Sequence, residues 1–162
     1  MKRMIVACLL SLCCTTPSFA VEEGPRIEIP VKLKTADVVF NMDHLAFEGS
    51  VPTGINYMRL ISATMKADGT KGQLIAIFHG DAAYMTLNDA SYNANRHVTT
   101  GNPYKGMIQQ LQQEGVQIEE CVNSMRANHW VNEQLLPGVK VNGGAILRIV
   151  ELEQQGYIQI QP

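Results

Sequence analysis

Leu74-Ile75-Ala76-Ile77-Phe78-His79-Gly80 is the stretch that decides the fold class of this chain. Five apolar residues run without alternation and stop at a histidine and a glycine. A strand with one wet face alternates apolar and polar residues. An unbroken apolar run instead means burial on both faces, as in a parallel sheet covered by helices. Val38-Val39-Phe40-Asn41-Met42 reads the same way. Between the two, Thr53 to Lys66 carries Ile55, Met58, Ile61 (or Leu60) and Met65 at helical spacing, and Asp68-Gly69 stops the helix.

The alternation continues downstream. Pro103 to Gln113 predicts a second helix, with proline in its first turn and its end before Gly115. Val116-Gln117-Ile118 predicts a third strand ending near Cys121, and Val139-Lys140-Val141 a fourth after Pro137-Gly138. Gly144 to Gln154 predicts a helix with Ile146, Leu147, Val150 and Leu152 on one face, and Tyr157-Ile158-Gln159-Ile160 a last strand. This order implies a three-layer α/β/α sandwich on a mainly parallel sheet of about five strands. Asn88 to Gly101 is rich in Asn, Ser, Thr and Tyr without an apolar period and is expected to be a long mobile loop. Val21 to Thr35 alternates through Ile27, Ile29, Val31 and Leu33 and is expected to be an extended arm, with Pro30 restricting any strand there to an edge.

The N-terminus has the three parts of a secretory signal. Lys2 and Arg3 are positive, Met4 to Cys14 is a short apolar run, and Ser18-Phe19-Ala20 places small residues where signal peptidase reads. The run is shorter than the about 20 residues that span a bilayer. The expected division is therefore a signal peptide over 1–20, cut after Ala20, an arm over 21–35 and one domain over 36–162. The expected location is the periplasm. The leader holds two of the 13 basic residues and none of the 15 acids, so the remainder carries 11 positive charges against 15 negative. Lys and Arg are scattered, which argues against a nucleic-acid face, and no other stretch is apolar enough for a membrane span.

Three of the four cysteines, Cys8, Cys13 and Cys14, lie in the leader, which leaves Cys121 alone. A lone thiol in an oxidising compartment is a buried bystander, an intermolecular bridge or a reactive group. With no second cysteine to resolve it, an intramolecular oxidoreductase is not expected. In open parallel sheets, ligands bind beyond the C-terminal strand ends. Those ends carry Asn41 with Asp43-His44, His79-Gly80-Asp81 and Glu119-Glu120-Cys121. A nucleophilic Cys121 needs a lowered pKa, which a helix starting at Val122 would favour and Glu119 and Glu120 would oppose. The bland alternative is a small core residue, since free cysteine is commonly buried. His79 reads as a proton donor or as a strand cap, and Gly80 as a close approach to ligand or as a turn. Cys121, His79 and His129 lack the spacing of a metal site, so no metal or cofactor is expected. Gly143-Gly144 opens the last helix, where an anion could sit. Met42, Met58, Met65, Met85, Met107 and Met125 read as packing, and Trp130 as a pocket wall or an oligomer contact.

From about Ala36 to Pro162 the chain resembles the DsrE/DsrF-like family, small α/β proteins associated with sulfur relay. The resemblance lies in Val38-Val39-Phe40, in Ile77-Phe78-His79-Gly80, in Gly115 through Cys121, and in the ending. There Leu136-Pro137-Gly138-Val139 is followed by Gly144, a helix, and Leu152-Glu153-Gln154-Gln155-Gly156-Tyr157-Ile158. The resemblance implies a homo-oligomer, often a trimer or hexamer. In sulfur-relay members a cysteine at the Cys121 position accepts and passes on persulfide sulfur. The expected function is therefore an exported persulfide carrier acting through Cys121, with His79, Gly80, Asn123 and Asn41 as binding neighbours. Its partner would be a sulfur donor or acceptor protein, or a small thiol. The alternative is a non-catalytic oligomeric module of the same fold that binds a small ligand, with Cys121 structural.

Overall fold

The structure, a computed structural model, describes residues 24–162. The leader, its cut after Ala20 and the first residues of the arm lie outside the described residues. The chain divides after Val31. Up to that point the described residues form no strand, and Ile27, Ile29 and Val31 are exposed.

From Lys32 onward the elements are β1 (Val38–Met42), a hairpin of β2 (Phe47–Glu48) and β3 (Val51–Pro52), α1 (Thr53–Asp68) and β4 (Leu74–Phe78). A 3₁₀ segment (Gly80–Thr86), α2 (Asp89–Arg96), α3 (Lys105–Gln113), β5 (Gln117–Cys121) and α4 (Val122–Ala127) follow. A 3₁₀ turn (Asn132–Gln134), β6 (Lys140–Asn142), α5 (Ala145–Gln154) and β7 (Ile158–Ile160) complete the chain. The main sheet has order β6-β5-β4-β1-β7 and every pairing in it is parallel. All residues of β1 and β4 are buried, the polar Asn41 of β1 included. The expected sandwich of about five strands is the observed one.

Period-two alternation sorts the strand residues between two unequal layers. Phe40, Ala76, Phe78 and Ile118 face Ile55 and Met58 of α1, Ile108 and Leu111 of α3, and Met125 of α4. Val39, Ile75, Ile77 and Cys121 face α5 alone, through Ala145, Ile149 and Leu152. Ile149 and Leu152 each contribute about 1.5–3 kcal/mol when fully buried, and the small Ala145 lets α5 lie close to the sheet. Two expectations change here. Ile146, Leu147 and Val150 do not face inward with Leu152; they are exposed. This helix has two apolar stripes. The inward one is chosen by Arg148, which reaches the sheet carboxylate of Glu119 with Nη2–Oε1 at 3.1 Å.

The second change concerns 88–101. Most of the expected loop is helix α2, which the residue pattern hides because only Tyr92 on it is buried. Asn88 caps it by accepting the Ser91 N–H at 2.9 Å. Tyr92 packs against Tyr84 and Tyr104, with ring centroids 5.9 and 6.2 Å away, and the Arg96 guanidinium lies 4.4 Å from the Tyr84 ring centroid. Aromatic edges therefore hold down a polar helix. The third strand ends at Cys121, as expected, and its last residues hold Glu119 and Glu120 buried inside the sheet.

Gly72 shows how tightly β1 and β4 are joined ahead of their ladder. Its φ is +143°, and a Cβ there would lie 2.3 Å from the Ala36 carbonyl oxygen. Backbone cannot yield as a side-chain tip does. Gly72→Ala should therefore lower unfolding stability by about 2–3 kcal/mol. Gly106→Ala, with nothing within 4 Å of its Cβ inside α3, should raise it by about 0.5–1 kcal/mol. Urea titration of both variants checks the pair of signs.

Candidate functional site

The three central strands bring the expected residues to one edge. β1 and β4 pair with Met42 opposite Phe78, and β4 and β5 with Phe78 opposite Glu120. Continuing that register by one residue sets His79 alongside Cys121 at the ends of neighbouring strands, about 5 Å apart by strand spacing. The imidazole of His79 meets Asn41 of β1, with Nε2 and Oδ1 2.6 Å apart. Burial pushes the His79 pKa below its ordinary value, against a weaker opposite pull from Asp43. The ring is therefore neutral at pH 7. With the amide oxygen of Asn41 turned to it, Nε2 carries the proton and Nδ1 is the basic nitrogen.

Gly80 then turns the chain sharply. Its φ is +55°, and a Cβ there would lie 2.7 Å from the Asp43 carbonyl oxygen. Only glycine combines that backbone with that approach. The turn aims the Gly80 N–H at Ser124 Oγ, 3.1 Å away, and so links β4 to α4.

Cys121 closes β5 and is the residue from which α4 starts. Its Sγ accepts the backbone N–H of Ala145, the first residue of α5, at 3.2 Å. Burial pushes the thiol up, but the N–H groups of Ser124, Ala145 and Asn123 together with the Ser124 hydroxyl outweigh it. The result is a thiol held below its ordinary pKa by donors from the start of two helices. The turn that delivers Ala145 depends on Asn142. Cys121 pairs with Asn142 across β5 and β6, and the Asn142 Oδ1 accepts the Gly144 N–H at 3.0 Å.

Cys121, Gly80 and Asn123 thus share one neighbourhood through Ser124 and Ala145, and His79 and Asn41 form an adjoining pair. Asn123 takes part through its backbone N–H; its side chain is exposed and lies beside Gly144. Ser124, Asn142 and Ala145 were not singled out by sequence reasoning. Ser124 stands three residues after the cysteine, in the first turn of α4, and Asn142-Gly143-Gly144 forms an Asx turn leading into α5. Cys121 itself is 4% exposed. His129 follows the end of α4 and is exposed, and among the described residues no cluster of three His, Cys, Asp or Glu is placed to hold a metal. An open groove of about 700 Å³ lies at the other end of the sheet, lined by Lys66, Lys71, Glu114 and the starts of β4 and β5. It is remote from the thiol and belongs to the edge where parallel sheets do not place their chemistry. No helix among the described residues is long and apolar enough to cross a membrane.

An α/β/α sandwich with a donor-surrounded thiol at the C-terminal end of a central strand defines the class. The chain belongs to the DsrE/DsrF-like family, which matches residues 50–162. It is similar to a solved structure of a protein of unknown function, MTH1491 from Methanobacterium thermoautotrophicum. That likeness has 23% identity, a TM-score of 0.63, and coverage of 78% of this chain and 99% of the other. The ychN protein from E. coli is similar at 16% identity and a TM-score of 0.55, covering 79% of this chain and all of the other. No curated protein gives a significant match. At these identities the solved structures establish the fold.

The Ser124 hydroxyl is the one side-chain donor of this set, and it is also the acceptor of the Gly80 N–H. In Ser124→Ala the pH midpoint for alkylation of Cys121 by iodoacetamide should move upward, and the rate at pH 7 should fall. An unchanged midpoint would mean that the backbone amides alone set the thiol.

Proposed function

We propose that this chain is an exported sulfur carrier of the DsrE/DsrF-like family, acting through the Cys121 thiolate. The observation that supports the reading is the convergence of the Ser124, Ala145 and Asn123 amides on a thiol whose pKa is thereby depressed. Thiolate is the form that attacks sulfur. In the proposed step, Cys121 S⁻ attacks the terminal sulfur of a donor persulfide, the donor S–S bond breaks, and the donor leaves as its thiolate. One S–S bond forms and one breaks, with no net oxidation. The same amides then face the terminal sulfur's negative charge, and the reverse reaction passes sulfur to an acceptor thiol. His79 and Asn41 line the approach, and the neutral His79 ring offers a proton acceptor at Nδ1.

The second reading is a ligand-binding module with a structural Cys121, and the 4% exposure of that residue favours it. Transfer would require the Gly143-Gly144 corner to yield. Incubation of folded protein with inorganic polysulfide, then alkylation and peptide mass analysis, separates the two. The carrier acquires extra sulfur on the Cys121 peptide, and Cys121→Ser does not. A thiol that stays unlabelled until denaturation would sink the carrier reading.

The assembly proposed is a homo-oligomer, trimer or hexamer, joined through the outer side of α5. Ile146, Leu147 and Val150 are exposed there, while Ile158 is exposed on edge strand β7. Such a row on a small domain favours a partner surface. Leu147→Asp should convert the sedimenting species to monomer while leaving the far-ultraviolet dichroism unchanged.

A further inference from the structure

Glu120 has no part in the site so far, yet it is fully buried at 0% exposure next to Cys121 in sequence. It points to the opposite face of β5. Its Oε1 accepts the Cys121 backbone N–H at 3.1 Å, and its Oε2 lies 2.8 Å from Thr86 Oγ1. The same Thr86 hydroxyl lies 2.9 Å from the Ala83 carbonyl oxygen. A carboxylate and a carbonyl are acceptors only, and a threonine hydroxyl has a single proton. Two good contacts therefore need two protons, and Thr86 supplies one.

We propose that Glu120 is kept as a neutral carboxylic acid, with Oε2–H donating to Thr86 Oγ1 and Thr86 Oγ1–H donating to the Ala83 carbonyl. We further propose that this uncharged acid positions Cys121 for its role as a thiolate. The second half rests on the carrier reading above. The neutral acid holds the Cys121 amide at the strand-to-helix turn and places no negative charge beside the sulfur. That removes the opposition which a charged Glu120 would offer to thiol ionisation.

The surroundings agree. β4 presents no ionisable side chain to it, and the 3₁₀ segment holds the exposed Asp81 and the buried phenol of Tyr84. Arg126 of α4 and Lys140 of β6 are exposed. Lys105 of α3 is paired with Asp89, and Glu119 on the same strand is paired with Arg148 on the other face. Among the described residues no cation is paired with Glu120. An unpaired buried carboxylate is costly enough that such groups neutralise instead. Burial pushes Glu120 up to about 9, with the Thr86 hydroxyl and the Cys121 amide pulling the other way.

The test follows from linkage. An acid with a raised folded pKa contributes its full stability below the unfolded pKa and loses it as pH climbs toward the folded one. Glu120→Gln keeps both contacts, through Nε2–H to Thr86 and Oε1 from Cys121, but has no proton to lose. Between about pH 5 and 8, the folding constant of wild type should therefore fall relative to E120Q by about tenfold per pH unit. Cys121 is present in both proteins, so its titration cancels. A flat ratio overturns the neutral acid. Alkylation of Cys121 should show the same pH midpoint in both below pH 8; a lower midpoint in E120Q would reveal a charged Glu120 and overturn the proposal. Should E120Q not fold, carbon-13 NMR of the wild-type glutamate carboxyls decides. One carboxyl still protonated at pH 7 supports the proposal, and ordinary titration of all of them defeats it. A Cys121 that never reacts in the folded protein defeats the carrier reading and the positioning role together. The stability ratio and the NMR titration still decide the proton.

Discussion

The ion pair between Glu119 and Arg148 is the interaction on which the rest of this structure leans. Burying Glu119 in the middle of β5 is expensive unless a cation follows it in. Arg148 does so with Nε 3.2 Å from both carboxylate oxygens, while Asn142 adds an N–H to Oε2 at 3.1 Å. This ties α5, the only helix on its face among the described elements, to the strand that ends in Cys121. The rotation of α5 about its axis follows from the same contact, and with it the aim of the Ala145 amide at Sγ. Charge pairing thus sets the geometry of the thiol from within one helical turn, since Arg148 lies three residues after Ala145.

Neighbouring acids on one strand are handled by opposite chemistry. Glu119 is buried together with the Arg148 guanidinium. Glu120 faces a layer whose nearby described cations are exposed or paired elsewhere, and its contacts are the Thr86 hydroxyl and the Cys121 amide. Period two puts their side chains on different faces, so neither carboxyl meets the other. A strand with the pattern Gln-Ile-Glu-Glu-Cys can only be central if each layer solves its own acid.

The layer order and the strand ends were legible because Val38 to Met42 and Leu74 to Phe78 leave no polar residue for solvent. Cys121, His79, Gly80 and Asn41 could be placed on one edge from the parallel sheet alone. Three things were not legible. The helix Asp89 to Arg96 has a single buried residue, so its period is invisible until Tyr84 and Tyr104 surround Tyr92. α5 has two apolar stripes, and only a partner distant in sequence decides between them. The acids of β5 looked like a polar strand end because a sequence shows charge but not the Arg148 or Thr86 that receives it.

The order β6-β5-β4-β1-β7 has a consequence for how the chain matures. The first strand of the sheet borders the last, with Val38 opposite Ile158 and Phe40 opposite Ile160. The Gln161 amide then fastens to the Asp43 carboxylate at 3.1 Å. One edge of β1 thus stays bare until β7 has been synthesised, and closing it joins the strands of the sheet most distant in sequence. The strand made last among the five thus completes the sheet, and β7 with Gln161 acts as its latch.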